Sequence, residues 1–566
     1  MTSRLTSFEI LNFDPSEVPD LLSDEKNVLL DLSRLAFGTA GLRAPMGIGY
    51  GRMNSLVVLQ TTQGLCEYLK LKFPGQKLSV VIGYDGRRNS EKFAHVAAAV
   101  FIASNFHVHL FSKYSPTPLT PFLVKSLGLA AGVQVTASHN PKDDNGYKLF
   151  GHLGAQICPP IDTEISSFIS QNLVPHPKAL ELLDPQTLLL KNRAACFDPL
   201  ETAQAQYLTM IKNSLCREPL NCHDTALKFV YTAMHGVGWE LLSRLWEEFK
   251  FPASSLIPVP EQKDPDPEFP TVSFPNPEEK GALNRSISLA NAIKADYVLA
   301  NDPDADRFTA AERNKDNEWM FFTGDQIGVL FADWQCQHHT TSSNGLLLTS
   351  IVSSRMLEAF ARARGLKYID TLTGFKYMAT ASVEARRRDP SLTHLLAYEE
   401  AIGYQLTDLV PDKDGMSAAC VWAEMAQAYR KRGFLVSDRL KQLQKEIGLF
   451  LTNNGYYICK DPNLTRLIFD EFRTNNYQVN GFHISQIRDI TKGKGSDLPA
   501  TPDSQMIQFK MGSVFTTLRA SGTEPKIKYY TEASAENETE ARLLLDQAVN
   551  ALNDHFFKPD KYGLSH

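Results

Sequence analysis

The sequence lacks any long apolar run. The longest such stretch, around Val96 to Ser104, is about half of the roughly 18 residues that a membrane-spanning helix needs. A paired-cysteine motif is also missing, because the eight cysteines are scattered, with no C-x-x-C pair and no histidine at zinc-finger spacing. These absences argue against a membrane protein, a zinc finger and a disulfide framework, and they predict reduced thiols.

An excess of positive charge is missing as well. The net charge is -6 over 566 residues, which gives no basic field of the kind that non-specific nucleic-acid binding requires. An anionic ligand must therefore meet a local basic pocket. The first residues carry Glu9 and Asp14 where a secretory signal has an unbroken apolar segment, so we expect a cytoplasmic protein.

The length and the hydrophobic pattern together predict several α/β units. At roughly 150 residues per domain, the chain divides into three to five domains. Four segments pass from a short apolar, β-rich run into a polar turn: LSVVIGYDGR, ALKFVYTAMHG, ADYVLANDPDADR and GLLLTSIVSS. From about Gly448, strands alternate with one Glu-, Ala- and Leu-rich helix, which predicts a separate α+β domain.

The segment NDPDADR is the strongest metal signal in the chain. Asp302, Asp304 and Asp306 alternate directly after the apolar run YVLA, so an extended loop can bring their carboxylates to one side. Three hard oxygen ligands suit Mg²⁺ or a similar cation, whereas the alternative is a solvated acidic turn or a helix cap. A half-match, DKDG at 412–415, is interpreted as a structural turn.

The segment RASGTEPKIKYY, residues 519–530, has the composition of an anion cradle. Ser521, Gly522 and Thr523 offer hydroxyls and backbone N–H groups, while Arg519 and Lys526 offer charge. A plain glycine turn between two strands is the alternative for the SGT triplet alone. With the flanking cations, we predict a phosphate site.

Three further polar loops are weaker signals. FGTAGLRAPMG (37–47) carries Arg43, and LAYEEAIGYQ (396–405) places two glutamates after an apolar run. GYDGRRNS (83–90) adds an aspartate and two arginines, for which we favour a surface ion-pair cluster over a role at a site. The proline-rich, acidic segment 258–280 is too long for a simple turn and is interpreted as an ordered loop near a site or a domain crossing.

The stretch VQVTASHNPK (133–142) places Ser138 beside His139. The serine could be a hydrolytic nucleophile, a phosphoryl carrier or the cap of a following helix. A hydrolytic serine usually sits in a tight glycine elbow, which TASHN lacks. With a metal site and a phosphate cradle elsewhere on the chain, a phosphoryl carrier is the better interpretation.

The loops TASHNP, DPDADR, FGTAGLR and RASGTEPK resemble the signature loops of the α-D-phosphohexomutase superfamily, the phosphoglucomutases and phosphomannomutases. The resemblance runs over nearly the whole chain. It implies three related α/β domains and a C-terminal α+β domain of TATA-binding-protein-like fold, arranged as a heart around a central cleft. We place these domains at 1–215 with the phosphoserine loop, 216–327 with the metal loop, 328–446 with the sugar loop and 447–566 with the phosphate loop.

The resemblance also implies roles for the matching residues. Ser138 is expected to carry the phosphoryl group, and His139 and Arg43 to assist proton transfer and charge neutralisation. The metal ligands are expected to be Ser138 with the three aspartates, and Lys376, in TLTGFKYM, to contact substrate or act in acid–base chemistry, with a surface lysine as the alternative. The remaining expected substrate contacts are Arg307, Thr373, Gly374, Glu399, Arg519, Ser521, Gly522, Thr523 and Lys526.

The sugar loop departs from the hexose pattern. The hexose enzymes typically have the motif G-E-E-S-G in this loop, whereas this chain has Ala401 in place of the serine. In this respect the loop resembles that of the phosphopentomutase branch (the phosphoglucomutase-2 type). We therefore expect interconversion of ribose or deoxyribose 1- and 5-phosphates, with some glucose phosphate activity. The alternatives are a phosphoglucomutase proper, a glucose 1,6-bisphosphate synthase, a haloacid-dehalogenase-type phosphatase and a catalytically dead relative that binds or regulates.

The same resemblance implies the cofactors and partners. Mg²⁺ is the expected metal, and glucose 1,6-bisphosphate or a pentose bisphosphate the expected activator. The expected partners are small sugar phosphates, with no nucleic acid and no membrane, and the expected state is a monomer or a weak dimer.

Overall fold

The computed structural model of the protein describes residues 34–38, 41–183, 195–217, 221, 227–338, 344–502, 504–521 and 525–565. These residues fall into two compact units. The first takes its residues from Met1–Ile327, Phe375–Pro390 and His394–Val436, and the second from Gly328–Gly374, Ser391–Thr393 and Ser437–His566. In the described part of the chain, no helix has the length and the apolar character to cross a membrane.

The first unit begins with a six-stranded sheet in the order β1-β5-β4-β2-β3-β6. β2 pairs in parallel with β3 and β4, and β3 with β6, whereas β5 is antiparallel to both of its neighbours. The strands are β1 (Gly41–Pro45), β2 (Ser79–Tyr84), β3 (His107–Leu110), β4 (Ala131–Val135), β5 (Asp144–Gly151) and β6 (Cys196–Phe197). The helices around this sheet are Ser55–Lys72, Ser90–Ala103, Leu119–Leu127, Ile161–Gln171, Pro177–Glu181 and Leu200–Leu215.

The core of this sheet explains its continuous apolar strands. Val80, Ile82 and Val133 lie in one buried cluster with residues of the alanine-rich helix Ser90–Ala103. Strands that are covered on both faces read as unbroken apolar runs, not as alternating patterns. The polar loops that follow β2 and β4 are therefore left at the carboxyl ends of neighbouring parallel strands, where ligand groups gather.

The second sheet of the first unit has five strands in the order β11-β10-β9-β7-β8. Its strands are β7 (Phe229–Thr232), β8 (Leu256–Pro258), β9 (Tyr297–Ala300), β10 (Thr309–Arg313) and β11 (Trp319–Phe321). β7 pairs in parallel with β8 and β9, whereas β10 is antiparallel to its neighbours. The helices of this part of the chain are Gly238–Glu248 and Asn284–Ile293, with the 3₁₀ turn Ala253–Ser255 between them.

Of the next four strands along the chain, two lie in the second unit and two in the first. In the second unit, β12 (Gly345–Ser350) and β13 (Lys367–Thr371) pair in parallel. In the first unit, β14 (Thr393–Glu399) and β15 (Gly403–Gln405) pair antiparallel around the predicted sugar loop. The helices of this stretch are Gly324–His338, Met356–Arg364, Phe375–Arg388, Gly415–Lys431 and Val436–Ile447.

The second unit ends in an antiparallel sheet in the order β16-β20-β19-β18-β17. The strands are β16 (Leu449–Ile458), β17 (Ile484–Asp489), β18 (Met506–Met511), β19 (Val514–Ala520) and β20 (Lys526–Ala535). The helices Pro462–Thr474 and Glu538–Leu552 bury Phe469, Phe472 and Leu545 in the same cluster as the inward residues of the sheet. The π-turn Asn553–Phe557 and the helix Pro559–Tyr562 complete the chain.

The predicted fold class is confirmed. The four apolar runs that we interpreted as strands are β2, β7, β9 and β12, and the segment from about Gly448 forms the predicted α+β region. The boundaries proposed between the four domains stay predictions.

Candidate functional site

Ser138 lies just beyond β4 in a strained, buried position. Its φ of 53° is in the left-handed region, which is uncommon for a non-glycine residue, and it is 3% exposed. Its Oγ donates to Asp302 Oδ2 at 2.8 Å and lies 3.2 Å from His139 Nδ1, while its N–H donates to Thr136 Oγ1 at 2.8 Å. The hydroxyl therefore points at the first aspartate of the predicted metal loop.

Arg87 holds the loop that carries Ser138. It is 5% exposed, and its guanidinium donates to the carbonyl oxygens of Ser138 at 2.5 Å, Asn140 at 2.7 Å and Pro141 at 2.8 Å. The guanidinium presents five N–H donors in a rigid planar fork, whereas a lysine offers three donors on one rotating ammonium group. Arg87 therefore fixes the backbone on which the serine is presented.

Asp85 completes this support from below the loop. Its Oδ2 accepts from Thr136 Oγ1 at 2.6 Å and lies 3.2 Å from Arg87 Nε, with both charged side chains 1% exposed. The interpretation of GYDGRRNS as a surface cluster is therefore wrong for Asp85 and Arg87. It holds for Arg88, which forms a partly exposed ion pair with Glu268.

The three aspartates of NDPDADR converge as predicted. Asp302, Asp304 and Asp306 are all fully buried, and one carboxylate oxygen of each lies within 4.8 Å of those of the other two. Ala305 adopts a φ of 57°, which turns the loop between the second and third aspartate. The loop follows β9 and belongs to the same compact unit as Ser138.

Two lysines and a threonine bind this carboxylate cluster through the Oδ2 atoms of Asp304 and Asp306. Asp304 Oδ2 accepts from Thr117 Oγ1 and from Lys148 Nζ, both at 2.6 Å. Asp306 Oδ2 accepts from Lys148 Nζ at 2.7 Å and is paired with Lys413 Nζ at 2.8 Å. The other oxygen, Oδ1, of both aspartates is buried and has no hydrogen-bond partner among the described residues.

These two orphaned oxygens fit a bound cation. A buried carboxylate oxygen without a donor is costly, and a hard divalent cation is a natural partner for several such oxygens. Asp302 contributes differently, because its Oδ1 accepts from the Arg307 N–H at 3.0 Å while its Oδ2 faces Ser138 Oγ. The residues present therefore suit Mg²⁺ with three carboxylates and an oxygen on the serine.

The electrostatics of the aspartates are unequal. Burial, followed by the charges of Asp304 and Asp306, raises the pKa of Asp302 well above its ordinary range. Burial alone would also raise the pKa of Asp306, but Lys148 and Lys413 outweigh it and hold this pKa well below the ordinary value. The lysines thus favour the charged carboxylate at Asp306, whereas burial and the neighbouring carboxylates disfavour it at Asp302.

Arg43, His139 and Arg307 surround the serine. Arg43 lies on β1, and its Nη1 donates to Asn140 Oδ1 at 3.2 Å. Burial, then the charges of Arg307 and Arg43, lowers the pKa of His139 well below its usual value. The imidazole is therefore neutral in this state and can exchange a proton, while the positive charge comes from the arginines and lysines.

The predicted sugar loop is joined to the metal loop by the backbone. Glu399 is the last residue of β14, Arg307 forms a bridge with Gly403, and the Phe308 N–H donates to Ile402 O at 2.9 Å. Ile402 has a φ of 55°, so this turn is also strained. Burial lowers the pKa of Arg307, but the charges of nearby carboxylates outweigh burial and raise it. In decreasing order these carboxylates are Asp302, Asp306, Glu278 and Glu399.

The recorded surroundings of Lys376 differ from those of Ser138 and the three aspartates. It is 4% exposed, and its Nζ lies 5.1 Å from the centroid of the Tyr377 ring with no hydrogen-bond partner among the described residues. Burial lowers its pKa, with Cys158 and Asp162 opposing this shift. A surface lysine, our alternative interpretation, is excluded by this burial. Thr373 and Gly374 precede it in the second compact unit.

The predicted phosphate loop lies in the second unit, between β19 and β20. Arg519 pairs with Lys528 in the strand register, and the Ser521 N–H donates to Lys526 O at 2.9 Å. Arg519 Nε is buried without a protein acceptor among the described residues, and Lys526 Nζ lies 4.2 Å from the Tyr456 ring centroid. Gly522 and Thr523 lie outside the described residues.

Three residues of the site were not predicted from the sequence. Lys148 is a charged residue in the buried strand run YKLF, and this misfit was the signal that could have revealed it. Lys413 belongs to DKDG, interpreted as a turn, and indeed Asp414 caps the helix Gly415–Lys431 while its neighbour reaches the metal loop. Thr117 carries no motif and is brought in only by the fold.

Family models match most of the chain. They are described as phosphoglucomutase/phosphomannomutase, alpha/beta/alpha domain I (residues 34–174), domain II (205–315), domain III (323–446), and C-terminal domain (477–548). The four matches occur in the order of the four domains that the resemblance implied.

Curated relatives are similar over nearly their whole length. The chain is 42% identical over 571 residues to a protein of Pongo abelii named phosphopentomutase, covering 94% of this chain and 91% of the relative. It is 38% identical over 564 residues to a human protein named glucose 1,6-bisphosphate synthase, covering 94% and 89%.

Solved structures share the fold. A phosphoglucomutase/phosphomannomutase family protein from Burkholderia thailandensis superposes with a TM-score of 0.68 at 18% identity, covering 93% of this chain and 98% of that one.

Proposed function

The chain belongs to the phosphoglucomutase/phosphomannomutase family and is a phosphomutase, and from this premise we propose that it interconverts the 1- and 5-phosphates of ribose or deoxyribose through a phosphoserine at Ser138. The observation that carries the proposal is the 2.8 Å contact between Ser138 Oγ and Asp302 Oδ2 beside a buried carboxylate triad. A haloacid-dehalogenase-type phosphatase has no support in this family, and the retention of Ser138 with all three aspartates argues against an inactive relative.

The transfer step moves one phosphoryl group between two oxygens. The bond from phosphorus to Ser138 Oγ breaks as the bond from phosphorus to the free hydroxyl oxygen of a sugar monophosphate forms. The hydroxyl proton leaves to a basic group of the site, and a proton returns to Ser138 Oγ as the serine oxygen leaves. His139, whose Nδ1 lies 3.2 Å from Oγ, can carry that proton as the imidazolium and is neutral again after the step. The sugar bisphosphate then reorients in the site and transfers its other phosphoryl group to Ser138.

Charge neutralisation does most of the catalysis in such a step. Asp302, Asp304 and Asp306 would hold Mg²⁺ with an oxygen on Ser138, and the bound ion supplies positive charge against the phosphoryl oxygens. Arg43 and Arg307 add charge from the protein. Lys148 and Lys413 orient the Asp304 and Asp306 carboxylates through their Oδ2 atoms.

A second set of residues would hold the phosphate that is not transferred. Arg519, Ser521 and Lys526, with Gly522 and Thr523 beyond the described residues, form this cradle, supported by the buried and unpartnered Arg519 Nε. Glu399, Thr373 and Gly374 would read the sugar. Lys376 is proposed as a further substrate contact because its ammonium is buried without an acceptor.

The choice of pentose depends on the sugar loop. Ala401 removes a hydroxyl that could read a hexose hydroxyl, and an unmatched polar partner weakens binding of the larger sugar. The relative named phosphopentomutase supports this choice, whereas the relative named glucose 1,6-bisphosphate synthase supports the second candidate. Activation by glucose 1,6-bisphosphate or a pentose bisphosphate, a cytoplasmic location and a monomeric or weakly dimeric state remain predictions.

The test compares kcat/KM for ribose 1-phosphate and glucose 1-phosphate with Mg²⁺ and a trace of glucose 1,6-bisphosphate. A preference for the pentose supports the proposal. A preference for glucose 1-phosphate would leave the phosphomutase assignment intact but show that Ala401 does not indicate the substrate. Net accumulation of a sugar bisphosphate would support the second candidate, a glucose 1,6-bisphosphate synthase.

A further inference from the structure

The proline-rich segment 258–280 packs on the loop 83–90, whose Arg87 supports Ser138, and it also contacts the end of the loop that carries the serine. A Cβ added to Gly86 would lie 2.6 Å from Pro265 Cβ, so the two backbones approach closely. The Phe269 ring lies 5.0 Å from Arg87 Cζ, and Glu268 pairs with Lys142 at 3.1 Å. The segment is therefore attached to the same residues that support the serine.

The end of this segment reaches the two residues that flank the serine and the metal loop. The Phe274 ring centroid lies 6.0 Å from that of His139, and Glu278 Oε2 lies 4.0 Å from Arg307 Nη1. Arg307 Nε is buried and has no acceptor among the described residues. The guanidinium thus keeps an N–H for an incoming anion while one side faces a glutamate.

The glutamate stands in a region with more carboxylates than cations. From other elements it faces Arg307 on the metal loop, Glu400 on the sugar loop and Asp325 on the helix Gly324–His338, and Glu279 is its chain neighbour. Arg307 in turn is shared among Glu278 and other carboxylates of the site. An anion that binds Arg307 is therefore repelled by these carboxylates unless one of them moves away or takes up a proton.

We propose that Glu278 is a positioning residue of the phosphoryl-transfer site: its carboxylate holds the Arg307 guanidinium while the site is empty, and it takes up a proton when a sugar phosphate binds that arginine. This inference depends on the proposed function for the identity of the ligand. The 4.0 Å ion pair and the unpartnered Nε of the same guanidinium carry it.

The chemistry of the carboxyl supports a proton exchange near neutral pH. Although 39% of the side chain is exposed, desolvation raises the pKa of Glu278 to about 7, with Arg307 opposing and the carboxylates of Glu400 and Asp325 adding to it. A dianionic phosphate at Arg307 would raise this pKa further, because it weakens the attraction of the arginine. Substrate binding and proton uptake are thus linked.

The experiment measures proton uptake directly. Wild-type protein with Mg²⁺ is titrated with ribose 5-phosphate at pH 7.0 by calorimetry in two buffers of different ionisation enthalpy. We expect Glu278→Gln to take up about half a proton less per site than wild type, because a carboxyl with a pKa of about 7 is half ionised there. Glu261→Gln is the matched control, since Glu261 lies in the same segment with 55% exposure and pairs with Arg285.

Kinetics give a second readout that a purely structural role would not change. In wild type, 1/KM should fall about tenfold from its acidic plateau to pH 8, because only the protonated carboxyl frees the arginine. Glu278→Gln should lose this limb while kcat changes less, and Glu261→Gln should keep it. Equal proton uptake and an equal pH profile in wild type and Glu278→Gln would overturn the proposal.

Failure of the proposed function gives a different pattern. If no sugar phosphate is turned over but binding still takes up the Glu278-dependent proton, the phosphomutase assignment fails and the positioning role stands. If turnover is normal and the proton uptake is insensitive to Glu278, only the positioning role fails.

Discussion

Lys148 Nζ donates to Asp306 Oδ2 at 2.7 Å and leaves Oδ1 of the same carboxylate free to face a cation. The Asp306 carboxylate can thus accept from Lys148 through Oδ2 and bind a metal ion through Oδ1, so the lysine and the ion need not compete for one oxygen. The lysine replaces part of the charge that the metal would supply, and this has a measurable consequence.

Lys148→Met should destabilise the metal-free protein by about 3 to 5 kcal/mol, because it leaves buried carboxylates without their partner. Added Mg²⁺ should recover more stability in the variant than in wild type. Thermal melts in EDTA and in Mg²⁺ measure both effects. Lys113→Met, which removes an exposed pair with Glu240, should cost about 1 kcal/mol or less, and an equal loss in the two variants would contradict the role of Lys148.

Ser138→Ala should reduce phosphoryl transfer to background while the thermal midpoint changes little, because the hydroxyl is the proposed acceptor of the phosphoryl group. Mass spectrometry of the protein after incubation with glucose 1,6-bisphosphate should show phosphate on Ser138 in wild type and none in the variant. Ser170→Ala removes an exposed serine and serves as the control. Near-normal turnover of Ser138→Ala would refute the phosphoserine.

Arg87→Lys should lower kcat by about 10- to 100-fold, because a small displacement of a reacting group has this effect on rate. The variant keeps the charge but loses the fork that binds three carbonyl oxygens of the Ser138 loop. KM should change less than kcat. Arg88→Lys, at the partly exposed ion pair, is the control, and if both variants behave alike the loop is held by other contacts.

His394 predicts a loss of stability in acid. Burial lowers its pKa to about 4, and its ring contacts Ser382 Oγ at 2.9 Å and Gln405 O at 3.1 Å. The unfolded chain binds a proton below pH 6.5 and the folded protein does not until about pH 4, so stability is full above pH 6.5 and falls as the pH drops through this window. The contribution is about 3 kcal/mol, from the pKa difference between the two states.

Urea unfolding at pH 7.0 and 4.5 in wild type and His394→Gln measures this contribution. The variant should show a weaker loss of stability in acid, although it is less stable at neutral pH. His95→Gln, at an exposed position, should keep the wild-type dependence. An unchanged dependence in His394→Gln would assign the acid sensitivity to other groups.

The parts of the site that the sequence revealed are those encoded locally. Asp302, Asp304 and Asp306 lie in one loop, so their spacing alone predicted a cluster, and it is confirmed. Lys148 and Lys413 come from distant segments, and their convergence on Asp306 depends on how two sheets pack. No spacing rule contains that information.

The same distinction explains the misjudged arginine. Arg87 follows a polar turn, which is typical of the surface, and only the fold shows that a neighbouring loop and the segment 258–280 cover it. That segment was expected to lie near a site or a domain crossing. The sequence could not indicate which of its residues reaches Arg307.

The backbone link between Arg307 and Gly403 and the hydrogen bond from Phe308 to Ile402 couple two loops mechanically. The turn that follows Glu399 cannot move without moving the backbone that leads from the aspartates into β10. Under the proposed function, a change of substrate here would come from exchanging side chains such as Ala401 on a fixed backbone, because a hinge in this turn would also displace the loop that carries the aspartates.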